Sequence, residues 1–325
     1  MRSIRVLCGA LAGMALAVAV SAAHAQTWPT RNIMAISPFS AGNAVDITGR
    51  VVLDQLARQV GQAFVIENRP GAGGTTAFNS VAKATPDGYT ILLGSSTFAS
   101  AVVLHKTLPY DTLRDFAAVI PFGAQPSVLV AAPSKGFKTV ADLVAAAKAR
   151  PGAMNYASAG IGAASHIAAE RFRLATGIVG QHVPFRGPNE ALSEVLAGRI
   201  DFYFLPLAPA LPLVKNGQLT ALAVSTPQRA PSMPDVPTTA EAGYPAASYL
   251  FWSGLFAPAK TPADVLGKLY DEGRKAIDLP NVQESLTKLG VQSMRLTSAE
   301  FQKYFADDVA ATVKLAKEAG IQPTD

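Results

Sequence analysis

A chain of 325 residues, 49% of them apolar, is long enough to bury a substantial core as one large or two medium domains. Its formal charge of +5 is spread along the sequence, with no Lys/Arg block and no aromatic interleaving, which excludes a nucleic-acid-binding surface. The only cysteine, Cys8, lies in an N-terminal apolar run, so disulfides, cysteine zinc sites and a cysteine nucleophile are excluded from the rest.

The first 25 residues predict a leader. Arg2 and Arg5 form a basic region, and Val6 to Val20 an apolar one too short and wrongly flanked to span a bilayer. Ala23-His24-Ala25 is a small-x-small cleavage site, and Cys8 follows Leu7 rather than a small residue, which argues against a lipoprotein. The expectation is a signal peptide over 1–25 and a mature chain from Gln26, soluble in the periplasm of a Gram-negative-type cell. No later apolar run is long enough to cross a membrane.

NIMAIS (32–37) reads as a buried strand. The loop SPFSAGNAVD leads into a helix from about Ala44 to Val60, ended by Gly61. FVIEN (64–68) is the second strand; after PGAGG a helix runs through Ala84, then the turn Pro86-Asp87-Gly88 precedes the strand YTILLGSS. This βαβαβ opening predicts a parallel sheet with helices on both faces. The pattern restarts with the strand SVLVAAP (127–133) and a helix over 140–149 capped by Thr139. In YASAGIGAASHIAAERF (156–172) a short strand ends in a glycine loop and an amphipathic helix begins near Ala163. QHVPF (181–185) is a strand, Asn189 is a candidate cap for the helix ALSEVLAG, and RIDFYFL and LTALAVS are strands. A Pro-rich connector then leads to the strand FWSGLFAP and two or three terminal helices.

Those last helices have no sheet of their own and are expected to return to the first unit. The result is an α/β, two-lobed chain, with lobe 1 from 26–126 plus 250–325 and lobe 2 from 127–249. Connections between such lobes form a hinge, and ligands prefer the cleft between them. Three strand–glycine loop–helix junctions supply candidate contacts, because free N–H groups and the dipole at a helix N-terminus favour an anion. The third junction gives Ser158, Gly160, Gly162, Ala163 and Ser165 as an anion loop, with His166 as a hydrogen-bonded structural residue. The first gives Phe39, to pack on a ligand's carbon skeleton, with Ser40, Ala41, Gly42, Asn43 and, in the first helical turn, Asp46. The second gives Gly73, Gly74 and Thr75. Ser95 and Ser96 follow a strand at its C-terminal end, where α/β sheets place ligands. Arg186 is a candidate clamp for a second anionic group, and Asp201 beside Arg199 reads as structural. Turns, caps and ion pairs are the competing readings at these positions. GIGAAS lacks the third glycine of a dinucleotide fingerprint, and no P-loop, GxSxG or HExxH motif is present. No cofactor, no metal and no catalysis are expected.

The segments WPTRNIMAISPFSAGNAVD, VIENRPGAGGTTAFNSVAKATPDGYTILLGS, HVPFRGPNEALSEVLAGRIDF, LTALAVSTPQRAPSMPDVPTTAEAGYP and WSGLFAPAKTP, with the third loop, run through essentially the whole mature chain. Together they resemble the substrate-binding proteins of the tripartite tricarboxylate transporter systems, the Bug or TctC family. The resemblance implies a type II, Venus-flytrap periplasmic-binding-protein fold. It implies capture of a small organic anion, a mono- or dicarboxylate with aromatic acids included, and delivery to membrane permease subunits by a monomer. Backbone amides and small hydroxyl residues would hold the carboxylate. A sensor presenting its ligand to a membrane signalling protein would share fold and pocket; an exported enzyme acting on carboxylic acids would need a positioned base that the sequence lacks. Departures from the family pattern fall at the loops. Asn43 stands for a Gly, Val45 for a small hydroxyl residue, Phe185 where Tyr is usual, and Leu205 near a common Asp. They predict a pocket less suited to citrate-like polyacids and more to a monocarboxylate or aromatic acid.

Overall fold

The structure is a computed structural model and describes residues 28–323; the predicted leader lies outside the described residues. The first sheet begins with β1 (Ile33–Ser37), β2 (Phe64–Asn68) and β3 (Thr90–Ser95), β1 pairing in parallel with both neighbours. Helices α1 (Ala44–Val60) and α2 (Thr75–Ala82) connect them. Two further elements precede the second lobe, α3 (Ser96–Leu104) and the long strand β4 (Phe116–Gln125), and neither is evident in the sequence. Helix α3 is buried almost all round, so it shows no 3.6-residue alternation of polar and apolar positions. Strand β4 is disguised by Pro121 and Gly123, which fall at a register shift opposite Ser253 and Gly254. Strand β10 (Phe251–Pro258) inserts antiparallel between β3 and β4, giving the order β2-β1-β3-β10-β4. Alternate residues face opposite cores. Ile33, Ala35, Leu93 and Leu255 face one, and Ile36, Leu92 and Phe256 face the other with Phe78, Phe98, Phe301 and Phe305.

The second lobe contains β5 (Ser127–Ala131), α4 (Val140–Ala149), β6 (Met154–Ser158), α5 (Ala164–Thr176), β7 (Gly180–Pro184), α6 (Pro188–Leu196), β8 (Tyr203–Pro206), α7 (Leu207–Lys215) and β9 (Thr220–Val224). β8-β5-β9 is antiparallel and β6-β7 parallel, and a parallel bridge from Tyr156 to Phe202 joins them. The resulting order β7-β6-β8-β5-β9 repeats the alternation of parallel and antiparallel neighbours in the first sheet. Helix α6 starts at Pro188 with Gly187 as its N-cap, so Asn189 lies inside the first turn instead of capping it. The fixed φ of proline suits the first helical position. Helix α7 is unexpected because Pro209 and Pro212 break the pattern of a helix.

The chain crosses between lobes at Pro126, where β4 runs into β5, and again between β9 and β10. The two crossings are tied together: Ser225 N–H donates to the Ser127 carbonyl at 2.8 Å, Ser127 N–H to Ser225 Oγ at 3.1 Å, and Tyr249 N–H to the Ser225 carbonyl at 2.8 Å. Helices α8 (Ala263–Asp278) and α9 (Pro280–Lys288) pack on the first lobe. The last helix, α10 (Ser298–Ala319), serves both lobes and not the first alone. Its Phe301, Phe305 and Val309 join the first lobe's core, while Leu315 joins the second lobe's. From α5, Arg171 lies 3.7 Å from Asp308 and Arg173 donates to the Ala319 carbonyl at 3.4 Å. Burial raises the Asp308 carboxyl above its ordinary range, against a hydrogen bond from Trp252 Nε1 and the nearby Arg171 charge.

Candidate functional site

Two adjacent chambers with four lining residues in common lie between the lobes, the smaller named inner for its place against α5 and the larger named outer. The inner one, about 140 Å³, is walled by Ala44 and Phe251 from the first lobe and by Ala159, Ala163, Ala164, Ser165, Tyr203 and Phe204 from the second, with the crossing Gln125–Ser127 at its back. The outer one, about 400 Å³, includes Gly42, Asn43, Ile47, Leu192, Leu205, Leu207 and Leu289. Ala44, Gln125, Pro188 and Pro206 belong to both. Among the described residues, no Asp, Glu, Lys, Arg or His lines either chamber.

The inner chamber ends on the N-terminus of α5. The preceding loop turns through Gly160 and Gly162, whose φ angles of +125° and +75° suit glycine. At Gly162 a Cβ would also stand 2.1 Å from Leu104 Cδ1, so the lobes meet here. Ala163 occupies the N-cap and brings no side-chain cap. Its own N–H donates to the Gly160 carbonyl, and the N–H groups of His166 and Ile167 donate to the Ala163 carbonyl. The N–H groups of Ala164 and Ser165 have no acceptor among the described residues. Ser165 Oγ accepts from Ala159 N–H at 3.0 Å. Next to it stands Tyr203, fully buried, whose hydroxyl reaches no partner in hydrogen-bond geometry. Burial pushes the Tyr203 phenol up to about 12, so it is a proton donor at neutral pH. Two amides and two hydroxyls therefore converge where no cation is present, a set suited to a carboxylate.

The N-terminus of α1, across the cleft, is built differently. Asn43 Oδ1 accepts from Val45 N–H at 2.8 Å and Asp46 N–H at 3.1 Å, and Asn43 Nδ2 donates to the Ser40 carbonyl at 2.7 Å. Asp46 is buried and accepts from Gly42 N–H at 2.9 Å, Asn68 Nδ2 at 3.0 Å and the Arg50 guanidinium at 3.0 Å. Burial works to raise its pKa, and these hydrogen bonds outweigh it and hold the carboxyl below its usual range. This helix end is closed by its own side chains.

Of the residues predicted from sequence, Ala163 and Ser165 line the inner chamber and Gly42 and Asn43 the outer one. The others line neither. Asp46 is engaged as described. Phe39 packs on the first lobe's core and its carbonyl accepts from Asn68. Ser40 and Ala41 are exposed at the turn. Gly73 and Gly74 belong to a turn against His105, Phe78 and Pro38, and Thr75 Oγ1 donates to the Ala72 carbonyl at 2.8 Å. Ser95 caps α3 through Thr97 N–H, and Ser96 is buried in that helix's first turn. Ser158 Oγ pairs with His182 Nε2 at 2.6 Å, and Gly160 and Gly162 shape the loop behind Ala163. Arg186 is exposed, its N–H bonded to Glu190 at 3.1 Å. Asp201 pairs with Lys135 and Asn155 N–H, while Arg199 pairs with Glu194. Tyr203, Phe204, Gln125 and Phe251 escape a sequence reading because they sit in strands; Pro126 and Pro206, which end two paired strands at one level, are the available clue.

Behind the loop lies a buried polar network. His166 Nδ1 accepts from Gly162 N–H at 3.1 Å, and the His166 ring stacks on His182 with centroids 4.0 Å apart. Glu170 accepts from Tyr156 Oη and from Arg173 at 2.7 and 2.9 Å. Burial drives His166 down to about 3 and lowers His182, so both rings are neutral.

Residues 48–321 match the family described as the tripartite tricarboxylate transporter family receptor. A UPF0065 protein of Bordetella pertussis is 35% identical over 96% of this chain and 97% of its own. Protein BugT of Bordetella pertussis is 32% identical over 96% and 97%. Among solved structures, an R. palustris protein with adipate is 31% identical with a TM-score of 0.81, covering 91% of this chain and 99% of its own. MatC from Rhodopseudomonas palustris, with bound malate, is 30% identical with a TM-score of 0.77, covering 89% and 99%. Similar two-lobed neighbours include the periplasmic binding protein BugD. The chain belongs to the tripartite tricarboxylate transporter receptor family, the TctC or Bug proteins.

Proposed function

We propose that this protein captures a small organic carboxylate between its lobes in the periplasm and delivers it to the membrane subunits of a tripartite transporter. The observation that carries the reading is the uncapped N-terminus of α5, where the N–H groups of Ala164 and Ser165 face an inter-lobe chamber free of charged side chains. The adipate and malate held by two relatives support the ligand class. The Ser165 and Tyr203 hydroxyls complete the grip. Gly42 and Asn43 stand at the mouth. Because no buried Lys or Arg must be stripped of water, desolvation cost stays moderate and release easy. The uncharged lining favours a monocarboxylate, aromatic acids included, over citrate-like polyacids. Residues 1–25 act as the signal peptide, and the lobes divide near 126/127 and 249/250 in a monomer. Ligand drives closure by binding the closed state more tightly than the open one.

The test is calorimetry with a panel of carboxylic acids on wild-type and variant protein. Ser165→Ala, or Ala164→Pro, should weaken binding by about 1–3 kcal/mol in a folded protein. Unchanged affinity would remove α5 from the site, and tight citrate binding with no response to monocarboxylates would overturn the ligand class.

A further inference from the structure

The outer chamber has no role in the carboxylate grip, yet it adjoins the inner one. Ala44, Gln125, Pro188 and Pro206 form walls of both. Its surface is aliphatic and comes from both lobes: Ile47 of α1, Leu192 of α6, Leu205 of β8, Leu207 of α7 and Leu289 after α9. Ile47 is 37% exposed, and the part left open lies on this chamber's wall. Four polar residues also line it, Asn43, Thr48, Gln125 and Asn189, and two of them are engaged. The Asn43 carboxamide donates to the Ser40 carbonyl, and Gln125 Nε2 donates to the Leu289 carbonyl at 3.0 Å. A second carboxylate placed here would lose its water and meet no cation.

We propose that the outer chamber is a subsite for the apolar tail of the same ligand, which makes the preferred substrate a monocarboxylic acid with a straight-chain or aryl-terminated tail. The proposal rests on the carboxylate end being held at the N-terminus of α5. The head then lies against Ser165 and Tyr203, and the tail passes between Ala44 and Pro206 to lie against Ile47, Leu192 and Leu207. Selection follows from the aliphatic side chains that Ile47, Leu192, Leu205, Leu207 and Leu289 gather at the far end of the cleft.

The experiment measures affinities of the mature protein for straight-chain monocarboxylates from propanoate to octanoate, for phenylpropanoate, and for the α,ω-dicarboxylate of each length. Affinity should rise about fourfold per methylene until the chamber is filled, the fold-change that corresponds to about 0.8 kcal/mol per buried CH₂. Each dicarboxylate should bind at least about tenfold more weakly than the monocarboxylate of its length, because its second charge is desolvated with no cation in the lining. Leu192→Trp, which fills the chamber, should collapse the octanoate-to-propanoate affinity ratio. Ile47→Asp, at a partly exposed position, should do the same by placing a carboxylate beside the tail. A flat length series, or a ratio untouched by both folded variants, overturns the tail subsite while leaving the head site standing. Dicarboxylates that match or exceed their monocarboxylate partners also overturn it. Failure of every acid to bind overturns the head site and the tail subsite together.

Discussion

Tyr203 carries two energies of opposite sign. Its hydroxyl is fully buried with only Ser165 beside it and no partner in good hydrogen-bond geometry, and a poorly satisfied buried hydroxyl destabilises a fold by about 1–3 kcal/mol. The same hydroxyl stands beside Ser165 at the donor end of the cleft. Tyr203→Phe is therefore expected to raise the melting temperature of ligand-free protein and to weaken carboxylate binding by roughly tenfold, the loss of one hydrogen bond to a charged acceptor. Thermal melts with and without ligand check both signs in one experiment. The residue was hidden in the sequence. From Phe202 to Leu205 every position is apolar or aromatic enough to be core, and only the register of β8 against β5 brings Tyr203 to the chamber. Ser165 was legible because a small hydroxyl residue at the start of a helix after a glycine loop has few other uses.

Of the two helices that follow the first and third glycine loops into the cleft, only α5 lacks a side-chain cap. The difference is written in their caps. SAGNAVD supplies Asn43 as N-cap and Asp46 in the first turn, so α1 satisfies its own N–H groups. GIGAASH supplies alanine at the N-cap, which cannot do so. A sequence reading that weighs glycine loops alone treats the two junctions alike; the missing cap is what sets the third apart. Helix α5 is held from behind by His166, whose neutral Nδ1 accepts from Gly162 N–H. Burial lowers His166 from 6.5 to about 3 in the folded protein. On acidification the unfolded chain therefore takes up the proton first, and stability falls from about pH 6.5 toward pH 3. His166→Gln should flatten that decline by up to about 1.4 kcal/mol per pH unit, the linkage of one proton. Urea unfolding at pH 7, 6 and 5 measures the slope; equal slopes in both proteins would show that His166 is not the group responsible.

At the scale of the whole molecule, closure depends on how closely the lobes approach. Gly162 meets Leu104 across one rim of the cleft, and Gly290 stands 3.6 Å from Ala208 N across the other, measured from where a Cβ would be. Gly162→Ala would put a methyl group into Leu104 on a backbone with φ of +75°. The variant should hold the lobes apart, so that its radius of gyration in small-angle scattering no longer contracts when ligand is added and its affinity drops by about tenfold or more, as expected if closure supplies part of the binding energy. The two-lobed plan was legible, because βαβ units restart after β4 and glycine loops follow strands. The double role of α10 was not. Its apolar positions are spaced as in any amphipathic helix, and nothing in the spacing says that Phe301 and Leu315 enter different cores.

The insertion of β10 has a consequence for how the molecule is made. Strands β3 and β4 are not bonded to each other; each is bonded to β10, which belongs to residues synthesised after the whole second lobe. Until Phe251–Pro258 arrive, the first sheet carries two unfinished edges whose N–H and C=O groups are open to any extended chain nearby. A nascent chain thus cannot complete the first lobe before the residues of the second have been made. It must make the second before the first can close, and the time between is the interval in which this protein is most exposed to mispairing and to any chaperone that shields strand edges.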